Sequence, residues 1–247
     1  MLTHKLLKAK DVKGGQLASY YSDGADDYYA KEGDSKQWQG KLCEDLGLTG
    51  DVDQETFKEL LLGNIPGQDR PVRASQRNDM ESRVGLDLTF QAPKSVSMQA
   101  LVGGDPLIIT AHEKAVSKVL AEMENLAQTR IKTDGKTRIV DTNALAIAKF
   151  RHETNRETEP HLHTHAIILN FTKADDGRYR ALVNDKLVKN TKFWGAKYRS
   201  ELASELVKAG YELRMDGDSF ELAHISRSQI EAYSTRTAQT NEELERK

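Results

Sequence analysis

Pro160-His161-Leu162-His163-Thr164-His165-Ala166-Ile167-Ile168-Leu169-Asn170-Phe171 decides how this chain folds. Its second half is apolar and rich in β-branched residues, so the run reads as a strand whose successive side chains alternate faces. His161, His163 and His165 then share one face. Neighbours two apart lie about 6.6 Å from each other and can converge on one ion, whereas the outer pair is about 13 Å apart. One strand therefore supplies two adjacent ligands, and a third has to come from elsewhere. Ala144 to Arg151 reads as a preceding strand ending at His152, and a hairpin through the polar stretch Glu153 to Pro160 brings His152 beside His163 or His165.

Four of the seven histidines thus fall between positions 152 and 165. Neutral imidazole is a common ligand of catalytic metals. Cys43 is the single cysteine, which excludes a cysteine-based zinc site, and no His-Glu-x-x-His spacing occurs. Three neutral ligands leave the charge of an ion and its open positions available to an anion.

Ser19-Tyr20-Tyr21-Ser22-Asp23-Gly24-Ala25-Asp26-Asp27-Tyr28-Tyr29 is the second unusual cluster. Half of the eight tyrosines lie in these two adjacent pairs, in a segment too polar for a packed core. A phenol has a pKa of about 10, so a tyrosine nucleophile needs a base or a nearby cation. The other reading is an amphipathic helix start with its tyrosines resting on the sheet.

These residues carry a family resemblance. The two tyrosine pairs, Gly85-Leu86-Asp87-Leu88-Thr89-Phe90 with Ala92-Pro93-Lys94-Ser95, then Phe150-Arg151-His152-Glu153-Thr154 and Leu162-His163-Thr164-His165, resemble in order a conjugative relaxase of the TraI/TrwC type, within the HUH endonucleases. The resemblance implies a site- and strand-specific DNA nickase acting at a plasmid transfer origin. It implies that Tyr20 makes the first cut and stays linked to the 5′ phosphate, that Tyr28 serves the second strand transfer, and that Tyr21 and Tyr29 are accessory. By the same comparison His152, His163 and His165 are the metal ligands, His161 is a bystander, and Asp87 holds a metal-bound imidazole and helps take the phenol proton. Asp87 sits in an alternating Val84 to Gln91 strand, whose polar face could back such a site.

Imidazole donors suit Zn²⁺, Ni²⁺, Cu²⁺ or Mn²⁺ better than Mg²⁺, while reversible phosphoryl transfer points to Mg²⁺ or Mn²⁺ as the working ion. The family's partners are single-stranded DNA at the nick site with an adjacent hairpin, relaxosome accessory proteins and a type IV coupling protein. Two other readings share part of this pattern. A rolling-circle replication initiator places its histidines before its tyrosine, and a non-catalytic metal-stabilised binder of single-stranded DNA would use the same aromatics and basic grooves.

At 27.7 kDa, with 38% hydrophobic residues and a mean hydropathy of -0.65, the chain has the material for one sizeable core. No stretch has the apolar length of a membrane span and no signal peptide opens it, so a cytoplasmic location is expected, in keeping with the single cysteine. The net charge of -2 is unlike a basic DNA-binding footprint. The distribution is uneven: Arg178 to Arg199 holds seven Lys/Arg against Asp185 alone. Arg178, Arg180 and Lys192 from this stretch, Arg73 and Arg77 from a second cluster, and Arg156 in the histidine hairpin are the expected phosphate contacts.

The order of elements predicts a two-layer α/β (α+β) domain. A first strand runs near Leu2 to Leu7, and Trp38 to Leu46 and Gln54 to Leu62 read as helices, with Asp53 an N-cap. Val116, Val119, Leu120, Met123, Leu126 and Ala127 mark a long amphipathic helix, and Asp134-Gly135 a hairpin. A helix from Phe193 to Lys208 stops at Gly210, and Ser226 to Gln229 resembles a capping box. The family fold adds a central antiparallel sheet with helices mainly on one face and metal and DNA on the other. Residues 1–247 read as one relaxase domain; the chain has no nucleotide-binding phosphate loop, and because relaxases of the type it resembles continue into a helicase region, the resemblance implies the N-terminal part of a longer relaxase-helicase.

Overall fold

Five strands build the central sheet in the order β1 (Leu2–Lys8), β3 (Arg83–Gln91), β7 (Pro160–Leu169), β6 (Ile147–Thr154), β2 (Ser35–Gln39), every neighbour antiparallel. The computed structural model describes residues 1–13, 35–72, 80–155 and 157–235. Among these, β4 (Gln128–Thr133), β5 (Lys136–Asp141), β8 (Phe171–Lys173) and β9 (Tyr179–Val183) form a second sheet, and β10 (Leu213–Asp216) pairs with β11 (Ser219–Leu222). No helix of the described residues is long and apolar enough to cross a membrane.

Strand alternation sorts the core into two. Leu86, Leu88 and Phe90 of β3, with Leu162, Ala166 and Ile168 of β7, face the larger apolar cluster, which two long helices cover. These are α5 (Pro106–Met123) and α7 (Thr191–Lys208). α5 buries Ile108, Ala115, Val116, Val119, Leu120 and Met123 at helical spacing, with Asp105 capping its N-terminus. The opposite face carries Ile167 and Leu169 of β7 and Ala148 and Phe150 of β6. There α3 (Gln54–Leu62) lays Phe57, Leu60 and Leu61 over one end of the sheet. The two long helices thus lie on one face, as expected, while α3 packs on the other together with Ala9, Val12, Leu42 and Cys43.

Two expected boundaries need correction. Trp38 lies in β2, opposite Ala148, and only Lys41–Asp45 (α2) is helical in the stretch read as a helix from Trp38 to Leu46. Gly40 separates them with φ of 112°, a backbone that a helix cannot contain. Buried Glu124 fixes this turn, because its Oε1 accepts from the backbone N–H of both Lys41 and Leu145, at 2.9 Å each. The same contact displaces the start of β6. Ala144 to Ala146 were expected in the strand, but Leu145 gives its N–H to Glu124 and its carbonyl to Leu42, and the strand begins at Ile147 and runs past His152 to Thr154.

Leu126 and Ala127, expected on the long helix, lie past its end at Met123, Leu126 in a 3-10 turn and Ala127 in extended backbone; other local expectations hold. Asp53 accepts from the Thr56 N–H at 2.9 Å, Asp134 and Gly135 turn the β4–β5 hairpin with positive φ, Gly210 ends the helix region with φ of 91°, and Ser226 with Gln229 completes a capping box for α8 (Arg227–Ala232). The short helices α1 (Ala9–Lys13), α4 (Lys94–Leu101) and α6 (Asp185–Lys189) complete the description.

Candidate metal centre

β6 and β7 bring three imidazoles to the sheet face away from the long helices. His152 lies directly opposite His163, while His165 stands between Phe150 of β6 and Thr89 of β3. Because side chains alternate, His163 and His165 project from one face and Thr164 from the other. The ring centroids form a triangle: 5.3 Å from His152 to His163, 5.6 Å from His152 to His165, and 5.3 Å from His163 to His165. Nitrogen ligands about 2.1 Å from an ion in tetrahedral array place their ring centroids roughly 5 Å apart. The spacing therefore suits one ion. The donor atoms are not gathered into a finished coordination set: among the described residues no group of three His, Cys, Asp or Glu side chains has that arrangement. Ring separation is set by the sheet, and ring orientation is what remains to adjust.

Outer hydrogen bonds decide which nitrogen each strand histidine offers. The His163 Nδ1 is 2.8 Å from the His161 carbonyl oxygen, which can only accept, so Nδ1 carries the proton and Nε2 keeps its lone pair. The Nδ1–H of His165 donates to Asp87, 3.0 Å from each carboxylate oxygen. A carboxylate behind an imidazole fixes its tautomer and raises its basicity as a ligand. Thr89 Oγ1 lies 3.2 Å from the same nitrogen and donates weakly to Asp87 at 3.5 Å. Donor chemistry and tautomers thus fit a divalent ion held through Nε2 of His163 and of His165.

The site is dry on one side. His152, His163, His165 and Asp87 are all buried, at 3, 5, 8 and 4% exposure. Phe150, the cross-strand neighbour of His165, packs edge-on against Phe57 of α3 at 5.1 Å, which makes the adjoining wall apolar. Burial, followed by the neighbouring His161 and His165, holds His163 well below the usual imidazole range, so the ring is neutral and able to ligate.

His161 is more than a bystander. Its ring stacks on His163 at 4.5 Å and 22°, and its carbonyl orients that imidazole. Sequence reasoning also assigned no role to Lys94, whose ammonium donates to the Pro160 carbonyl at 3.0 Å and lies 3.7 Å from Glu159. With Ser97 Oγ accepting from Leu162 N–H at 3.0 Å and Ala92 N–H donating to the Leu162 carbonyl, α4 anchors the start of β7. The Ala92-Pro93-Lys94-Ser95 stretch was the available signal, but its partners lie some 65 residues on and left no trace in spacing.

Not every expected site residue joins this cluster. Tyr20, Tyr21, Tyr28, Tyr29, Arg73, Arg77 and Arg156 lie outside the described residues. The chain re-enters at Ser35, which pairs with Arg151, the neighbour of His152. Arg178 is exposed in the β8–β9 turn, beyond the end of β7 remote from the histidines. Arg180 is held by Asp176 through two hydrogen bonds, 2.7 and 2.5 Å, so a local ion pair already uses its guanidinium. Lys192 is exposed in the first turn of α7.

Comparison with known proteins bears on this geometry. The family model of the TrwC relaxase matches residues 14–247. The multifunctional conjugation protein TraI of Escherichia coli (strain K12) is 40% identical over 213 residues, covering 82% of this chain and 12% of that protein. The chain thus spans about an eighth of the length of that curated relative. Among solved structures, the conjugative relaxase TrwC in complex with oriT DNA, in its metal-bound form, superposes with a TM-score of 0.90 at 56% identity, over 98% of this chain and 82% of that one. Its copper-bound complex matches equally, at 0.90 and 57% identity, with the same coverage.

Proposed function

The chain belongs to the TrwC relaxase family, and from that premise we propose that it nicks one DNA strand at a plasmid origin of transfer and passes that strand on during conjugation. The observation that carries this reading is the triangle of His152, His163 and His165 with Asp87 behind His165, on the sheet of a family whose relative TrwC binds oriT DNA and metal.

In this reading His152, His163 and His165 hold one divalent cation. When bound, such an ion supplies Lewis-acid stabilisation of charge on the phosphate oxygens. The chain's own residues do the rest. Asp87 keeps the His165 proton on Nδ1 and so leaves the lone pair on Nε2; the His161 carbonyl does the same for His163. The Phe57–Phe150 wall excludes water on one side, which strengthens electrostatic contacts within.

Tyr20 attacks phosphorus through its phenol oxygen. The bond from phosphorus to the 3′ oxygen breaks as the new one forms, the phenol loses its proton and the leaving oxygen gains one. The product is a 5′-phosphotyrosyl strand, and because a protein oxygen replaces water, a later 3′ hydroxyl can rejoin it without another energy source. Tyr28 performs the second transfer, with Tyr21 and Tyr29 as accessory positions. The return of the chain at Ser35 beside Arg151 supports this, since it joins the tyrosine segment to the sheet next to His152. Arg73, Arg77, Arg156, Arg178, Arg180 and Lys192 would contact phosphates, with Arg180 the weakest of them because Asp176 already engages it.

The working ion is Mg²⁺ or Mn²⁺ by the chemistry of reversible phosphoryl transfer, acting in the cytoplasm with relaxosome proteins and a coupling protein. Cleavage of a single-stranded oligonucleotide carrying a transfer-origin hairpin and nick site tests the reading. Cleavage with Mn²⁺ that stops on chelation and resumes on adding the ion supports it; binding without cleavage under all these conditions leaves a binder of single-stranded DNA instead.

A further inference from the structure

The back of the histidine strand carries a polar chain that the proposed reaction does not use. Thr164 sits between His163 and His165 and points to the opposite side of the sheet, beneath α5 and α7. There His112, with no exposed surface, places Nε2 2.8 Å from Thr164 Oγ1 and Nδ1 2.7 Å from the Tyr198 hydroxyl. Tyr198 is equally buried and packs edge-on against Phe90 at 5.4 Å and against His112 at 5.7 Å. Burial pushes His112 down to about 3 and the Tyr198 phenol up, so both groups are neutral.

A neutral imidazole has one N–H and one lone pair, and here both are used. If Tyr198 donates to Nδ1, then Nε2–H donates to Thr164; the reverse sense closes equally well. Apolar side chains could fill this space without desolvating three polar groups, so what the chain supplies beyond burial is fixed geometry. It links α5, through His112, and α7, through Tyr198, to the one residue of β7 that has a candidate metal ligand on each side.

We infer that Tyr198, His112 and Thr164 form a positioning relay, which sets the pleat of β7 at Thr164 and thereby the spacing of His163 and His165 on the other face. The inference rests on the metal reading above. Along a strand, displacing one residue normal to the sheet tilts the side chains of both neighbours. A metal site tolerates only about ±0.2 Å in its ligand distances. Ladder bonds to β3 and β6 fix β7 within the plane of the sheet; the relay fixes it perpendicular to that plane.

Co²⁺ titration of the whole chain, followed by ligand-field absorption and by affinity, tests this with two substitutions. Thr164→Val keeps the shape and removes the hydroxyl; Thr164→Ser keeps the hydroxyl. The relay predicts that Thr164→Val binds Co²⁺ roughly 10-fold more weakly with an altered spectrum, the low end for outer partners of a metal site, and that Thr164→Ser stays near the unsubstituted chain in both readouts. Unchanged affinity and spectrum in Thr164→Val overturn the relay, and so does failure of Thr164→Ser to restore them, because bulk and not the hydroxyl would then set the site. Absence of Co²⁺ binding by the unsubstituted chain instead removes the metal reading itself, and the relay with it.

Discussion

Asp87 accepts the Nδ1–H of His165 with both carboxylate oxygens at 3.0 Å, across two antiparallel strands joined 78 residues apart in sequence. The register of β3 against β7 creates this contact: Thr89 is the direct partner of His165, and Asp87 follows two residues along on the same face. A ring held this way carries its proton on Nδ1 and its lone pair on Nε2.

Asp87→Asn tests the relationship. The amide oxygen can still accept from Nδ1, but the negative charge that favours metal binding is gone. Affinity for Mn²⁺, measured by calorimetry, is expected to fall about 10-fold, in the range for partners behind a metal-bound histidine. Equal affinity in the variant contradicts a role for the carboxylate in the metal site.

Acid should weaken the fold through His112. Its folded pKa is depressed to about 3, below the ordinary 6.5, so between these values the unfolded chain binds a proton that the folded chain refuses. Stability is then complete above pH 6.5 and falls as pH drops toward 3, and His163, also depressed, acts in the same direction. From pH 7 to pH 5 the His112 contribution to the loss is about 2 kcal/mol. Urea unfolding of the unsubstituted chain and of His112→Gln at both pH values checks this: the variant is weaker at pH 7 but loses less on acidification. Parallel losses in the two proteins would refute it.

Gly40 explains a misread element and gives a third prediction. A Cβ at this position would sit 2.3 Å from the Leu145 carbonyl oxygen, on a backbone already at φ of 112°. Gly40→Ala is expected to cost about 3 kcal/mol, the upper part of the range for a strained backbone position, read as a lowered denaturation midpoint. A midpoint within error of the unsubstituted chain would show that the turn relaxes freely.

What was legible in the sequence follows from which forces are local. Period-two alternation in the stretch from His161 to Leu169 reported a strand and its faces, and the distance argument limited how many of its histidines could meet one ion. Caps and turns at Asp53, Asp134-Gly135 and Ser226 were legible because each is closed within a few residues. Trp38 was not, since it is a strand residue only by virtue of its pairing with Ala148, 110 positions away, and the Gly40 turn depends on Glu124. The part of His161 in orienting His163 was hidden for another reason: its carbonyl does the work, and carbonyls carry no residue signature. The apolar cover of α3 beside His165, the anchoring of β7 by α4, and the relay behind Thr164 all join segments distant in the chain.

The central claim is that a tyrosine of the N-terminal segment becomes joined to DNA at the site built by His152, His163 and His165. Peptide mapping by mass spectrometry, after the chain reacts with Mn²⁺ and an oligonucleotide carrying a transfer-origin nick site, tests it most directly. The predicted result is a 5′-phosphotyrosyl adduct on Tyr20, absent from Tyr20→Phe during first cleavage while oligonucleotide affinity is retained. An adduct on a residue outside Tyr20 to Tyr29, or cleavage that leaves no protein-linked strand, would contradict it.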